Sequence, residues 1–210
     1  MTFKETLSFR HACKIFDENK KISDSDFLEI MEAARLSPSS LGLQHWEFWL
    51  IKNKELKAKL RKACWNQVQL TSCSHLVVVF ARIKDLKPGS EYIQDEISRR
   101  VDKTSEQHAA YVAKVENFIK SNVGTSDLEI FAWSKAQTFL AVQNMMSMAA
   151  TLGIDSCPIE GWDDENEVQE ILGVDKSDKR VAVIMPFGYR VNEQKSKNRR
   201  SLDEILKVIE

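Results

Sequence analysis

The chain has no excess of either charge. Its 30 Lys and Arg face 31 Asp and Glu, for a net charge of -1 over 210 residues. A protein that grips DNA or RNA through its phosphates needs a clear basic surplus, so general nucleic-acid binding is excluded. Any anion must be held by a few placed Lys or Arg side chains. There are four cysteines (Cys13, Cys64, Cys73 and Cys157), with no CxxC pair and no His-x₃₋₅-His run, so no zinc site is expected. The start, Met1-Thr2-Phe3-Lys4-Glu5, lacks the basic-then-apolar layout of a signal peptide. Together with free thiols this predicts a cytoplasmic protein. The longest apolar run, Ala132 to Gly153, is interrupted by Lys135, Gln137, Gln143 and Asn144, which argues against a membrane span. Internal repeats, low-complexity linkers and sharp composition breaks are also missing, so residues 1–210 are expected to form one domain with one sizeable core.

What is present is regular patterning. Ser23, with Asp26 three residues on, reads as a helix start, followed by Phe27, Ile30, Met31, Ala34 and Leu36 at helical spacing. Pro38 should end that helix near Ser37. Trp46 to Ile51 reads as a strand and Glu55 to Cys64 as a short charged helix. His75 to Ala81 is apolar throughout, as in a strand buried on both faces. Between Pro88 and Gly124 the pattern is helical and heavily charged, with a polar break at Lys103-Thr104-Ser105, which suggests two helices on the surface or over a site. The Ala132–Gly153 run follows; as a helix it has no face that can be solvated, so burial is expected. A short strand at Ile154 to Cys157, a helix at Asp164 to Leu172 and a last strand at Val181 to Phe187 complete the order. The tail from Lys195 to Glu210 is basic at first and amphipathic afterwards. Few central strands among many helices give an α+β class.

Five stretches could carry chemistry. Ser156-Cys157-Pro158-Ile159-Glu160-Gly161-Trp162 follows the apolar helix, and its turn should bring bare backbone N–H groups to the mouth of an apolar slot. Such donors suit a large flat ring with polar edges, and flavin is the obvious one. Arg10 and Lys14 stand four apart and suit either a phosphate or ring carbonyl, or a solvated surface. Pro38-Ser39-Ser40-Leu41-Gly42-Leu43-Gln44 is a turn whose hydroxyls and N–H groups could also meet phosphate or ribityl oxygens. Asn66-Gln67-Val68-Gln69 supplies amides that donate and accept, as a pyrimidine edge requires, or as a helix surface tolerates. Lys195, Lys197, Arg199 and Arg200 would neutralise a phosphate if they converged with Arg10, and otherwise form a charged tail.

Taken together and in order, these stretches resemble the nitroreductase family of FMN-dependent NAD(P)H oxidoreductases over nearly the full length. The anchors are Arg10-His11-x-x-Lys14-x-Phe16-Asp17, Pro38-Ser39-Ser40-x-x-x-Gln44-x-Trp46, Ser74-His75-Leu76-Val77-Val78-Val79, Leu152-Gly153-Ile154-Asp155-x-x-Pro158-Ile159-Glu160-Gly161 and Lys197-x-Arg199. The closest likeness is to the oxygen-insensitive bacterial nitroreductases. The resemblance implies a small, mostly antiparallel sheet surrounded by helices, in a homodimer that binds FMN at the interface. The long apolar helix would then be dimer core, and the 195–210 tail would lie on the partner subunit.

Carried over by position, the resemblance gives Arg10, Lys197 and Arg199 to the phosphate and Lys14 to the pyrimidine carbonyl or N1, with His11 in the same cofactor-binding stretch read as structural. Pro38, Ser39 and Ser40 would come from the partner chain. Asn66 and Gln69 would meet the pyrimidine edge, and Pro158, Ile159, Glu160 and Gly161 would form the turn facing N5 and O4. Trp65 is the candidate wall of the substrate slot, with Tyr111 and Phe118 as lid candidates. The implied reaction is ping-pong two-electron hydride transfer from NADH or NADPH through FMN to a nitroaromatic or quinone, with no side chain as nucleophile and no metal. A quinone, dihydropteridine or flavin reductase is the alternative within the family; a flavin-binding module without turnover is the alternative outside enzymology. No G-x-G-x-x-G fingerprint with a distal acid discloses a coenzyme preference. Three positions depart from the family pattern: Gly42 for the usual Asn, His45 for the Pro before Trp46, and Gln69 where a related type has Lys. The last removes a positive charge beside the flavin, so a lower flavin potential is expected than in a Lys-bearing relative.

Overall fold

The computed structural model describes residues 1–210. Its centre is a four-stranded sheet in the order β1-β2-β4-β3, with β1 at Trp46–Ile51, β2 at His75–Arg82, β3 at Asp155–Ser156 and β4 at Lys179–Gly188. Every neighbouring pair of strands is antiparallel. β2 is central, and Leu76 to Ala81 are without solvent contact, which is why that run carries no polar alternation. Val77, Val79 and Ala81 enter one core, whereas Leu76, Val78 and Phe80 enter the other. On β4 the alternation breaks: Val181 and Val183 stand two apart yet point into opposite cores. A bulge explains it, because Val79 pairs with Val183 but Phe80 pairs with Val181, leaving Ala182 as the extra residue.

Nine helical segments surround the sheet in chain order: α1 (Phe3–Phe9), α2 (Asp24–Arg35), α3 (Lys54–Ala63), α4 (Gln69–Ser72), α5 (Glu91–Ser98), α6 (Glu106–Phe118), α7 (Asp127–Thr151), α8 (Glu165–Leu172) and α9 (Leu202–Ile205). α7 and α2 cover one face of the sheet; Ala141, Val142, Met145 and Ala149 meet Phe27, Ile30 and Ala34 there. α3 and α8 cover the other, with Leu60, Ala63, Val168 and Leu172. α5 and α6, joined by a π-turn over Ile119–Val123 to the start of α7, enclose a third cluster that includes Ile93, Ile97, Val115 and Ile130. The two helices expected between residues 88 and 124 are therefore present, around a small core of their own. No helix is long and apolar enough to cross a membrane.

α7, 25 residues long, is covered by its own chain on one side only. Leu128 is 66% exposed and Leu140 44%, and Ala132 and Ala136 between them also face solvent. Residues four apart share one helix face, so these make a continuous stripe of apolar and small side chains. The tail is similarly bare, with Leu202, Ile205, Leu206, Val208 and Ile209 all exposed. The chain presents 11960 Å² of surface, where a folded monomer of this mass usually presents about 10,000 Å².

His45 ties the loop before β1 to the interior. It is fully buried, its Nε2 lies 3.1 Å from the Ser40 carbonyl and its ring meets Trp133 edge-on at 4.3 Å. Its backbone carbonyl accepts from the Ser134 hydroxyl of α7 at 3.0 Å. A neutral imidazole thus serves as a tether between the loop and α7. Burial pushes its pKa down to about 4. The unfolded imidazole titrates near ~6.5, so the unfolded chain takes up the proton first. The contribution of His45 is then complete above that range and is lost as pH falls from there towards about 4. Between neutral pH and a pH near ~4.5 the wild type should lose roughly 2–3 kcal/mol more stability than His45→Gln. Denaturant titrations at the two pH values check this; equal losses in the two proteins would contradict it.

Candidate functional site

Arg10 to Asp17 has little regular structure and is strapped to the end of the sheet. Ala12 pairs in parallel with Ser156, the Cys13 N–H donates to the Ser156 carbonyl at 3.1 Å and the Asp17 N–H to the Tyr189 carbonyl at 2.8 Å. Phe16 presses on Gly188 so closely that a Cβ there would come within 2.8 Å of its ring. Beneath the strap lies Asp155, whose side chain is only 2% exposed. A buried carboxylate is costly unless it is paired and hydrogen-bonded. Asp155 is both: Oδ2 accepts from the Arg190 N–H at 2.9 Å and from Arg190 Nε at 3.0 Å, while Arg190 Nη2 lies 2.5 Å from Oδ1. His11 Nδ1 stands 3.5 Å from the same oxygen. Burial, with Arg190 adding to it, holds the His11 imidazole below its ordinary basicity in spite of Asp155. Arg190 also donates to the Phe9 carbonyl at 3.3 Å and lies over the Phe9 ring at 4.2 Å.

This clamp sets one wall of a cavity of about 600 Å³. Arg10, Lys14, Arg190, Lys195, Lys197 and Arg199 line it, with Glu193 as the only carboxylate. Lys197 Nζ donates to the Arg10 carbonyl, so segments from the two ends of the chain meet here. Desolvation, and then the neighbouring Arg10 and Arg199, lower the Lys197 pKa. The neighbouring cations add to the effect of burial, as clustered positive charge does. Cys13 lines the cavity as well, with burial pushing its thiol up to about 11.

Lys14 connects the cavity to the turn. Its Nζ is 3.7 Å from Cys157 Sγ, and Gln69 Nε2 is 3.9 Å from the same sulfur. Gln69 also donates to Gln67 Oε1 at 2.8 Å, and Gln67 donates to the Gly161 carbonyl at 3.2 Å. The Cys157 thiol is raised by burial, with Lys14 opposing, so it remains a protonated, unreactive group. In the turn itself the expectation of bare N–H groups holds only in part. Ile159 donates to and accepts from Ile184, its N–H reaching the Ile184 carbonyl at 2.9 Å, so it extends the sheet instead of facing a ligand. The N–H groups of Glu160 and Gly161, beyond Pro158, have no acceptor within the chain. The Glu160 carboxylate is held by Lys135 of α7 at 2.9 Å.

Gly161 lies under the Trp65 ring, and a Cβ there would come within 2.4 Å of Cζ3. Trp65 is exposed, with its Nε1 donating to Asp163 at 2.6 Å. Trp65 and Asn66 have φ of 52° and 51°, in the left-handed region that a tryptophan seldom adopts. Asn66 Oδ1 accepts from Arg61 Nε at 2.8 Å, which spends its acceptor and leaves its N–H groups as donors.

Other expected residues lie outside this cavity in a single chain. The Ser40 N–H donates to Gln137 of α7 at 2.9 Å, and Ser39 Oγ accepts from the Gln44 N–H at 2.9 Å; Pro38 precedes them in the same loop. Gly42, with φ of 65°, leaves room for Arg100, whose Nη2 donates to the Leu41 and Gly42 carbonyls at 3.1 Å each. Phe118 packs on Trp133 with ring centres 6.2 Å apart. Tyr111 lines a separate cavity of about 340 Å³ with Arg100 and Lys114. Arg190 and Asp155 were given no role by sequence reasoning. The available signal was an acid inside the apolar run around Ile154, which needs donors wherever that run is buried.

The model of the nitroreductase family matches residues 7–189. The chain is 40% identical to a Bacillus subtilis protein named "Putative NAD(P)H nitroreductase YfkO", over 98% of this chain and 96% of the relative. It is 43% identical to "Putative NAD(P)H nitroreductase SERP2086" of Staphylococcus epidermidis, over 100% of this chain and 97% of the relative. Among solved structures, "a putative nitroreductase in complex with FMN" from Exiguobacterium sibiricum superposes with a TM-score of 0.83 at 23% identity, covering 100% of this chain and 98% of that one. The chain belongs to the nitroreductase family.

Proposed function

We propose that this protein is an FMN-dependent NAD(P)H oxidoreductase that reduces nitroaromatic compounds or quinones by two electrons. The observation that carries this reading is the junction of three features. A cavity with five other basic residues lies at one end, Lys14 stands in the middle, and a turn with two unspent backbone N–H groups lies at the other. One phosphoester and one flat polar-edged ring match that sequence of partners, and the related structure described with FMN supports it. Bound FMN would supply the hydride acceptor and donor. Arg10, Lys197 and Arg199 would hold the phosphate, and Lys14 would stabilise negative charge at the pyrimidine edge. Asn66 and Gln69 would join Lys14 at the pyrimidine edge with amide N–H groups, and Glu160 and Gly161 would donate to N5 and O4. Trp65 would wall the substrate side.

A second copy of the chain belongs to this reading. The apolar stripe on α7, the bare apolar tail and the surplus surface all support a homodimer whose tail crosses to the partner. Pro38, Ser39 and Ser40 would then reach the partner's cofactor, with Tyr111 and Phe118 in the cover. The four free, buried thiols agree with a cytoplasmic setting.

Purified protein should be yellow, dimeric and bleached by NADH or NADPH, and a nitroaromatic or a quinone should restore the colour. A yellow protein that neither nicotinamide bleaches would sink the enzyme reading. In Gly161→Ala, the new methyl must displace Trp65. FMN should bind about tenfold more weakly, ~1.4 kcal/mol, with a shift in tryptophan emission. Unchanged affinity would place the ring elsewhere.

A further inference from the structure

A second charged cavity, of about 660 Å³, shares no lining residue with the first. It opens where β1 ends and β2 begins. Four lysines line it: Lys21 before α2, Lys52 just after β1, and Lys54 and Lys57 in the first turn or so of α3. Glu18 is the only carboxylate in its wall, and none of the four lysines forms an ion pair. In a chain of net charge -1 this is a strong local asymmetry.

Two further observations point to an anion. Lys54 and Lys57 stand at the N-terminus of a ten-residue helix, where the peptide dipoles already present positive charge. Cations there oppose the helix dipole, so folding gains nothing from them and an anionic ligand would. The floor also offers a donor to acceptor oxygens. Ser74 Oγ accepts from the Ile22 N–H at 2.9 Å and lies 3.0 Å from His75 Nδ1, a pair in which either atom can donate. In one tautomer the His75 Nε2–H is left as a donor, and in the other the Ser74 hydroxyl is. The ring is stacked on Phe27 at 4.3 Å, which fixes its plane. Burial, then Lys57, Lys52 and Lys21, hold His75 below its ordinary basicity against the pull of Asp24. Three of the four lysines thus project their field onto one point of the floor.

We propose that this cavity binds a small polyphosphate anion, either free or carried on a nucleoside, at a site separate from the flavin phosphate. The separation is testable because saturating FMN fills the first cavity. Calorimetric titration of FMN-saturated protein at low ionic strength, with inorganic tripolyphosphate in one arm and ADP in the other, should show one saturable site per chain. Equal affinities would assign recognition to the phosphates alone; tighter ADP would add a contact to the nucleoside. In Lys52→Gln/Lys57→Gln, whose circular dichroism should match wild type, affinity should fall at least tenfold while NAD(P)H bleaching persists. No saturable binding of either probe, or binding unchanged in the double variant, would overturn the proposal.

Discussion

One buried carboxylate organises the positive end of the site. Asp155 sits on the short strand β3, where water cannot solvate it, and its charge is tolerable because Arg190 meets it with side chain and backbone together. The same arginine reaches back to the Phe9 carbonyl, and the same strand pairs with Ala12. Both ends of the chain are therefore pinned beside the sheet edge. Without that pairing, Arg10 and Lys14 would lie on a loose segment and Lys197 would have no neighbour to meet. Cations that repel one another are held together by a buried anion behind them. The arrangement is unfavourable for an empty cavity and favourable for a phosphoester.

The rest of the architecture serves the other edge. The bulge at Ala182 changes the facing of β4, so that Ile184 points to the core that also holds Ile159 and Cys157. Ile159 is fastened to Ile184 by paired backbone bonds, which fixes the turn and leaves Glu160 and Gly161 projecting beyond the sheet. α7 then reaches the turn through Lys135 and reaches the Ser39–Ser40 loop through Gln137. One long helix thus touches two expected parts of the cofactor environment and still has a free apolar stripe. The stripe has no structural purpose in an isolated chain.

Much of this was legible in the sequence, and for identifiable reasons. β2 could be read because six consecutive apolar residues have no solvated face. α2 could be read because Ser23 caps it and apolar residues follow at helical spacing, and α7 because its long apolar run holds no Gly or Pro before Gly153. Arg10, Lys14, Lys197 and Arg199 were found by charge and order, and the structure brings them to one cavity. Other features depend on partners that no local pattern reveals. Ile159 looks like a free turn residue until β4 is placed beside it. Asp155 stands out as an acid among apolar residues, but nothing near it in sequence points to Arg190 as its partner. The exposed side of α7 could not be separated from its buried side, since a covering by the fold and a covering by another chain leave the same apolar run.

The account stands or falls on whether Asp155 holds the strap. Native-state hydrogen exchange of Asp155→Asn compared with wild type measures this directly. Loss of one partner from a buried ion pair costs about 3–5 kcal/mol, so the Cys13 and Asp17 amides should exchange at least about a hundredfold faster, while the β2 amides of Val78 and Val79 keep their protection. Unchanged protection at Cys13 and Asp17 would contradict the account.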